Sequence, residues 1–114
     1  MSASQETVRV YERITESIWQ RLAPTFGQRT INAIAKNAIT RTARTHPALL
    51  RLEVTPDDGL NWEQFEHHLG DVTGDEVSTM LGDLMDEFFE ALSNLAGRLI
   101  ADKVFSEAEK EVEQ

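Results

Sequence analysis

The longest continuous helical pattern in the chain, residues 74–112, limits the available folds more than any other feature. At 100° per residue, Val77, Met80, Leu81, Leu84, Met85, Phe88, Phe89, Leu92, Leu95, Ala96, Leu99 and Ile100 fill an arc of about 200°. One partner helix cannot cover a face that wide, so the pattern requires a central helix flanked by several others. Beyond Ile100 the stripe moves, and Val104, Phe105, Ala108 and Val112 fall mostly on the side that carries Asp86 and Glu90. An unbroken helix over this stretch would run about 57 Å, whereas a compact domain of this length has a radius of gyration near 13 Å. Two outcomes fit: a kink near Gly97 or Asp102, or a last three turns that leave the body and pack on a second copy. In the second case Ile100, Val104, Phe105, Ala108 and Val112 form the interface. The division expected is a bundle over residues 1–100, with 101–114 as a helical extension or tail of the same domain.

Upstream, the chain divides into shorter elements. Val10, Tyr11, Ile14, Ile18, Trp19 and Leu22 recur at spacings of three and four, which predicts a helix over residues 6–23 that ends at Pro24. Thr25 and Gln28 stand at capping-box spacing, so a second helix is expected to begin near Phe26. It runs through Ile31, Ile34, Ala35, Ala38, Ile39 and Ala43 and ends before Pro47. Leu50 to Val54 alternates, and TPDDG is a turn signal. A short hairpin within residues 50–62 is one reading, and an extended loop is preferred because a lone two-stranded ribbon is marginal. Asn61 and Gln64 repeat the capping spacing ahead of a short helix over residues 62–69 that Gly70 closes, and Thr73 with Glu76 open the long stretch. The fold class is therefore all-α: about four helices around a long C-terminal one, with an optional β-like excursion.

Charge is unevenly distributed. The 114 residues carry 20 acids and 11 bases, a net charge of −9. Residues 17–52 contain Arg21, Arg29, Lys36, Arg41, Arg44 and Arg51 and no acid. One use of this basic stretch is an anion site at Arg41, Arg44 and His46, as in a sensor for a small anionic ligand. The preferred use is structural: the second helix lies against the acidic face of the long one, where Asp83, Asp86, Glu87 and Glu90 stand. The surface left over is then acidic, so a charged protein partner should be basic, and nucleic acid is not an expected partner. No stretch has the length and apolarity of a membrane span. The chain has no cysteine, which removes thiolate chemistry and suits a cytoplasmic location.

Candidate chemistry is sparse. Glu63 and His67 are four apart in NWEQFEHHLGD, and Asp71 follows by four, a spacing compatible with a weak metal site; adjacent His67 and His68 diverge by about 100°. The acidic set Asp83, Asp86, Glu87 and Glu90 offers oxygen ligands for one hard cation. MLGDLMDEFFEAL, residues 80–92, resembles the Leu-Gly-Asp-Leu portion of the MazG-type all-α nucleotide pyrophosphohydrolases. That resemblance implies magnesium-dependent hydrolysis through paired acidic helices. The chain departs from the family pattern at Met80, three before Asp83, and at Gln64, where that chemistry uses glutamate. The glycines are scattered singly, so there is no phosphate loop, and no triad signature is present. Met80, Met85, Phe88 and Phe89 stand at core spacing rather than forming a ligand pocket. The leading expectation is a non-enzymatic interaction or regulatory module without a cofactor, self-associating as a homodimer.

Overall fold

The stretch that dominates the sequence folds as two helices rather than one. The structure, a computed structural model, describes residues 3–70 and 72–113. In chain order it contains α1 (Ala3–Phe26), α2 (Gln28–Thr42), a 3-10 turn (Pro47–Arg51), β1 (Glu53–Thr55), β2 (Gly59–Asn61), α3 (Glu63–Leu69), α4 (Gly74–Ala96) and α5 (Arg98–Glu113). This is the expected all-α bundle with a small hairpin. The break near Gly97 or Asp102 falls at Gly97, whose φ of 97° and ψ of 150° lie in a region that essentially only glycine occupies. It is sharper than a kink: α5 returns along α4 and also packs on α1. The longest dimension is 38 Å and the radius of gyration 13.3 Å, so no long rod projects.

Local chemistry accounts for the start of α4. The Thr73 hydroxyl accepts from the Glu76 amide at 3.2 Å, and the Glu76 carboxylate accepts from the Thr73 amide at 3.4 Å, the reciprocal box that the spacing predicts. Other boundaries differ from expectation. Pro24 does not stop α1, which runs on to Phe26. Proline removes the donor that would meet the Gln20 carbonyl, but both residues are exposed, so water can replace that bond. Thr25 and Gln28 make no box; Gly27 caps α2 without any side-chain bond, at φ 86° and ψ 147°. Asn61 bonds the Glu63 amide at 3.1 Å, yet the residue preceding α3 is Trp62 and Gln64 takes no part.

The two glycine breaks make the bundle from two similar hairpins. α1 and α4 run parallel: a side chain at Gly74 would meet Ala3, one at Gly82 would meet the Tyr11 hydroxyl, and the Trp19 and Phe88 rings lie 5.4 Å apart. α2 runs antiparallel beside α4, with Arg41 facing Glu87 and His46 facing Asp83. α5 runs antiparallel beside α1, with Arg21 facing Glu107 and Glu111. Residues 70 apart take equivalent places: Gly27 and Gly97, Ile18 and Phe88, Leu22 and Leu92, Ile31 and Ala101, Ala35 and Phe105, Ala38 and Ala108. Except for the glycines, both members of each pair are buried. The arrangement is a pseudo-two-fold, with α1 and α4 at the centre and α2 and α5 on opposite sides.

Among the described residues, the segment between α2 and α4 is matched by no equivalent element after α5. Its 3-10 turn packs on α2 and α3, and α3 also touches α1, so Leu49, Leu52, Phe65 and Leu69 join the core. The hairpin forms where an extended loop was preferred. Glu53 pairs with Asn61, and Thr55 with Gly59. Tertiary contacts hold this ribbon: Asn32 of α2 donates to the Thr55 carbonyl at 3.0 Å and accepts from the Trp19 indole at 3.0 Å. Gly59 lies so close to Trp19 that a Cβ would sit 3.0 Å from the indole nitrogen.

Candidate interaction surfaces

The basic stretch lies against the acidic helix at two points. His46 Nε2 stands 2.8 Å from Asp83 Oδ2, and Arg41 Nη1 stands 3.9 Å from Glu87 Oε2. Arg21 extends the pattern on the other side of α1, reaching Glu107 at 2.7 Å and Glu111 at 3.1 Å. Exposed pairs of this kind contribute about 0–1 kcal/mol each, so they orient the helices more than they hold them. The remaining cations of the stretch point outward. Arg29, Lys36, Arg44 and Arg51 are exposed and have no ion-pair partner among the described residues. The proposed anion set is therefore divided: two of its three members, Arg41 and His46, already face carboxylates, and Arg44 has no ion-pair partner among the described residues.

The acidic candidates do not converge. Asp83, Glu87 and Glu90 each face a different basic side chain, the last being Arg98 at 3.3 Å, while Asp86 lines a groove shared with α1 and α5. Glu63 and His67 line a separate hollow with Arg51, Glu53 and His68; Asp71, the third ligand of that set, lies outside the described residues. Among the described residues no three histidine or acidic side chains come together as a metal cage.

The residues expected at a C-terminal interface fall into two groups. Phe105 and Ala108 are 9% and 0% exposed, with the Phe105 ring 5.8 Å from Phe88 and 5.3 Å from Phe89. These two are part of the chain's own core and are not available to a second copy. Val104 packs on that core, Val112 lines the groove beside Asp86, and Ile100 is 46% exposed.

Apart from Leu50 on the 3-10 turn, the exposed large apolar residues among those described fall on two surfaces. At the corner between α4 and α5, Leu95, Leu99 and Ile100 are 50%, 86% and 46% exposed. The equivalent corner between α1 and α2 carries Thr25, Arg29 and Thr30, so the turn itself does not demand apolar residues there. The second surface is a groove of about 550 Å³ between α1, α4 and α5, whose walls include Val10, Tyr11, Ile14, Met85 and Val112. Sequence periodicity missed the key polar residue, Asn32, which is 8% exposed and joins α1, α2 and the hairpin. An amide on the Ile–Ala stripe of α2 was the available signal, because a buried amide requires partners.

No helix among the described residues is long and apolar enough to cross a membrane. No protein-family model, curated protein or solved structure matches the chain.

Proposed function

We propose that this protein is a non-enzymatic helical interaction module that works in the cytoplasm as a homodimer. One observation carries the reading: three large aliphatic residues stand out at the α4–α5 corner, where the equivalent positions of the first hairpin are polar. Single exposed leucines are ordinary, but a group of them on one corner marks an association site. A two-fold dimer would set this patch against its own copy. The absence of cysteine is compatible with a reducing compartment.

Removing the chain after Ile100 would not test this, because it would take Phe105 and Ala108 out of the core. Surface substitution is the proper test. Sedimentation equilibrium of the full chain should give a concentration-dependent dimer, and the double variant Leu95→Glu, Leu99→Glu should be a folded monomer. A wild-type chain that stays monomeric at every concentration, or a variant of unchanged mass, would contradict the reading.

A further inference from the structure

The groove between α1, α4 and α5 has a mate across the pseudo-two-fold, and the mate is filled. The open walls Val10, Tyr11, Ile14, Ser78, Met85 and Val112 correspond, 70 residues away, to Met80, Leu81, Leu84, Val8, Thr15 and Thr42. All six of those mates are buried, none more than 7% exposed. The segment between α2 and α4 closes that side. Its short helix α3 packs on α1 and puts Phe65 and Leu69, four residues apart, into the core at 0% and 4% exposure. Gly82, which lines the open groove, corresponds to Glu12, whose carboxyl pKa is raised by partial burial first, then by Glu16 and by Glu66 of α3. Among the described residues nothing on the open side plays the part of α3. Val10 is 44% exposed there.

We infer that the open groove receives a short amphipathic helix from a partner protein, with large apolar residues four apart on its inner face and lysine or arginine on its flanks. The filled groove supplies the shape of the occupant, since the same bundle geometry already accepts Phe65 and Leu69 on the equivalent side. Charge supplies the flanks. The groove's lining includes Asp86 and Glu109 and no lysine or arginine, and neither carboxylate has an ion-pair partner among the described residues. Helix-in-groove recognition uses this combination of apolar anchors and complementary rim charge. The site extends the interaction-module reading to a second surface and does not depend on the dimer.

The probe is a capped synthetic peptide, NWEQFEHHLG, carrying the changes Glu63→Lys and Glu66→Lys, titrated into the isotope-labelled full chain. The expected result is saturable amide shifts at Val10, Ile14, Gly82, Met85 and Val112, with an affinity of about 1 mM or tighter that weakens with added salt. Gly82→Leu should reduce the affinity by about tenfold or more. A Cβ there meets only the Tyr11 hydroxyl, at 3.7 Å, and Gly82 lines the groove, so the substitution starts from an uncrowded position on its wall. Val10→Ser serves as a second, exposed-site variant with the same expected loss. Absence of shifts, shifts centred on residues 47–69, or equal binding by the peptide with its glutamates intact would each overturn the inference. So would groove signals that move with the protein's own concentration and stop moving in Gly82→Leu, because a second copy would then be the occupant. The mass of the same samples, read separately, reports on the α4–α5 corner.

Discussion

The hairpin formed by α1 and α2 and the hairpin formed by α4 and α5 differ less in their geometry than in what lies on them. Each is a helix of 24 or 23 residues, one glycine near φ 90°, and a return helix of 15 or 16 residues. The first is wrapped by a 3-10 turn, a β-hairpin and a short helix, tied down through Asn32 and the close approach of Gly59 to Trp19. Among the described residues the second has no such cover. Arg98 lies 5.5 Å over the Phe89 ring, at the position equivalent to Trp19 in the first half, and its guanidinium reaches Glu90. Equivalent backbones thus support unequal surfaces: one half buries its flank within the chain, and the other presents apolar residues at a corner and a groove.

The largest expected effect contrasts the two flanks directly. Phe65→Ala removes the anchor of the covered side and should cost about 3–5 kcal/mol in urea unfolding. Val10→Ala, on the open side, should stay within about 0.5 kcal/mol. Similar losses at the two sites would mean that the open flank is packed after all. Next come the turns. Gly27→Ala and Gly97→Ala should each cost about 1–3 kcal/mol from backbone strain, and by similar amounts, because a Cβ at either glycine meets nothing within 4 Å. A marked inequality in thermal unfolding would break the equivalence of the hairpins.

The smallest effect concerns two glutamates that respond to pH in opposite directions. The Glu12 pKa is raised above its ordinary 4.5 by partial burial first, then by Glu16 and Glu66. Its charged form therefore opposes folding, and the opposition fades as pH falls through the raised value toward 4.5. Glu12→Gln should stabilise the protein at pH 7 by about 0.2–0.5 kcal/mol, the size of a like-charge helical pair, and do nothing in acid. Glu111 is the reverse case: the Ser17 hydroxyl bond, then Arg21, holds its pKa below 4.5. Its contribution is present above 4.5 and is lost as pH falls through the lowered value, so Glu111→Gln should destabilise at neutral pH and lose its effect in acid. Unfolding midpoints measured across this range would show both trends, and a common direction would refute the assignment.

Local signals were legible and long-range ones were not. Thr73 and Glu76 marked the start of α4 because a capping box is complete within four residues. Gly97 was legible as a breaking point, but the direction of α5 was not. Val104, Phe105, Ala108 and Val112 form a stripe that packs equally well on the same chain or on another. The hairpin depended on Asn32, more than 20 residues away, so its own sequence showed only a marginal ribbon. Equivalence between the halves was hidden because the pairing rests on burial, and at a separation of 70 only Glu6, Leu22, Gly27 and Ala38 recur as the same residue, at Glu76, Leu92, Gly97 and Ala108. The expected packing of the second helix beside the acidic face of α4 is seen in Arg41 facing Glu87, and His46, just past α2, stands beside Asp83. Arg44 shows how a one-dimensional charge count overestimates pairing.

One flank of the bundle is covered and its mate is open to solvent. The most direct measurement is methyl NMR of the full chain with a soluble paramagnetic agent. Methyl signals of Val10, Met85 and Val112 should be strongly attenuated, while those of Val8, Val77 and Met80 stay protected. Equal attenuation of the two sets, or protection of both, would contradict the two-flank description.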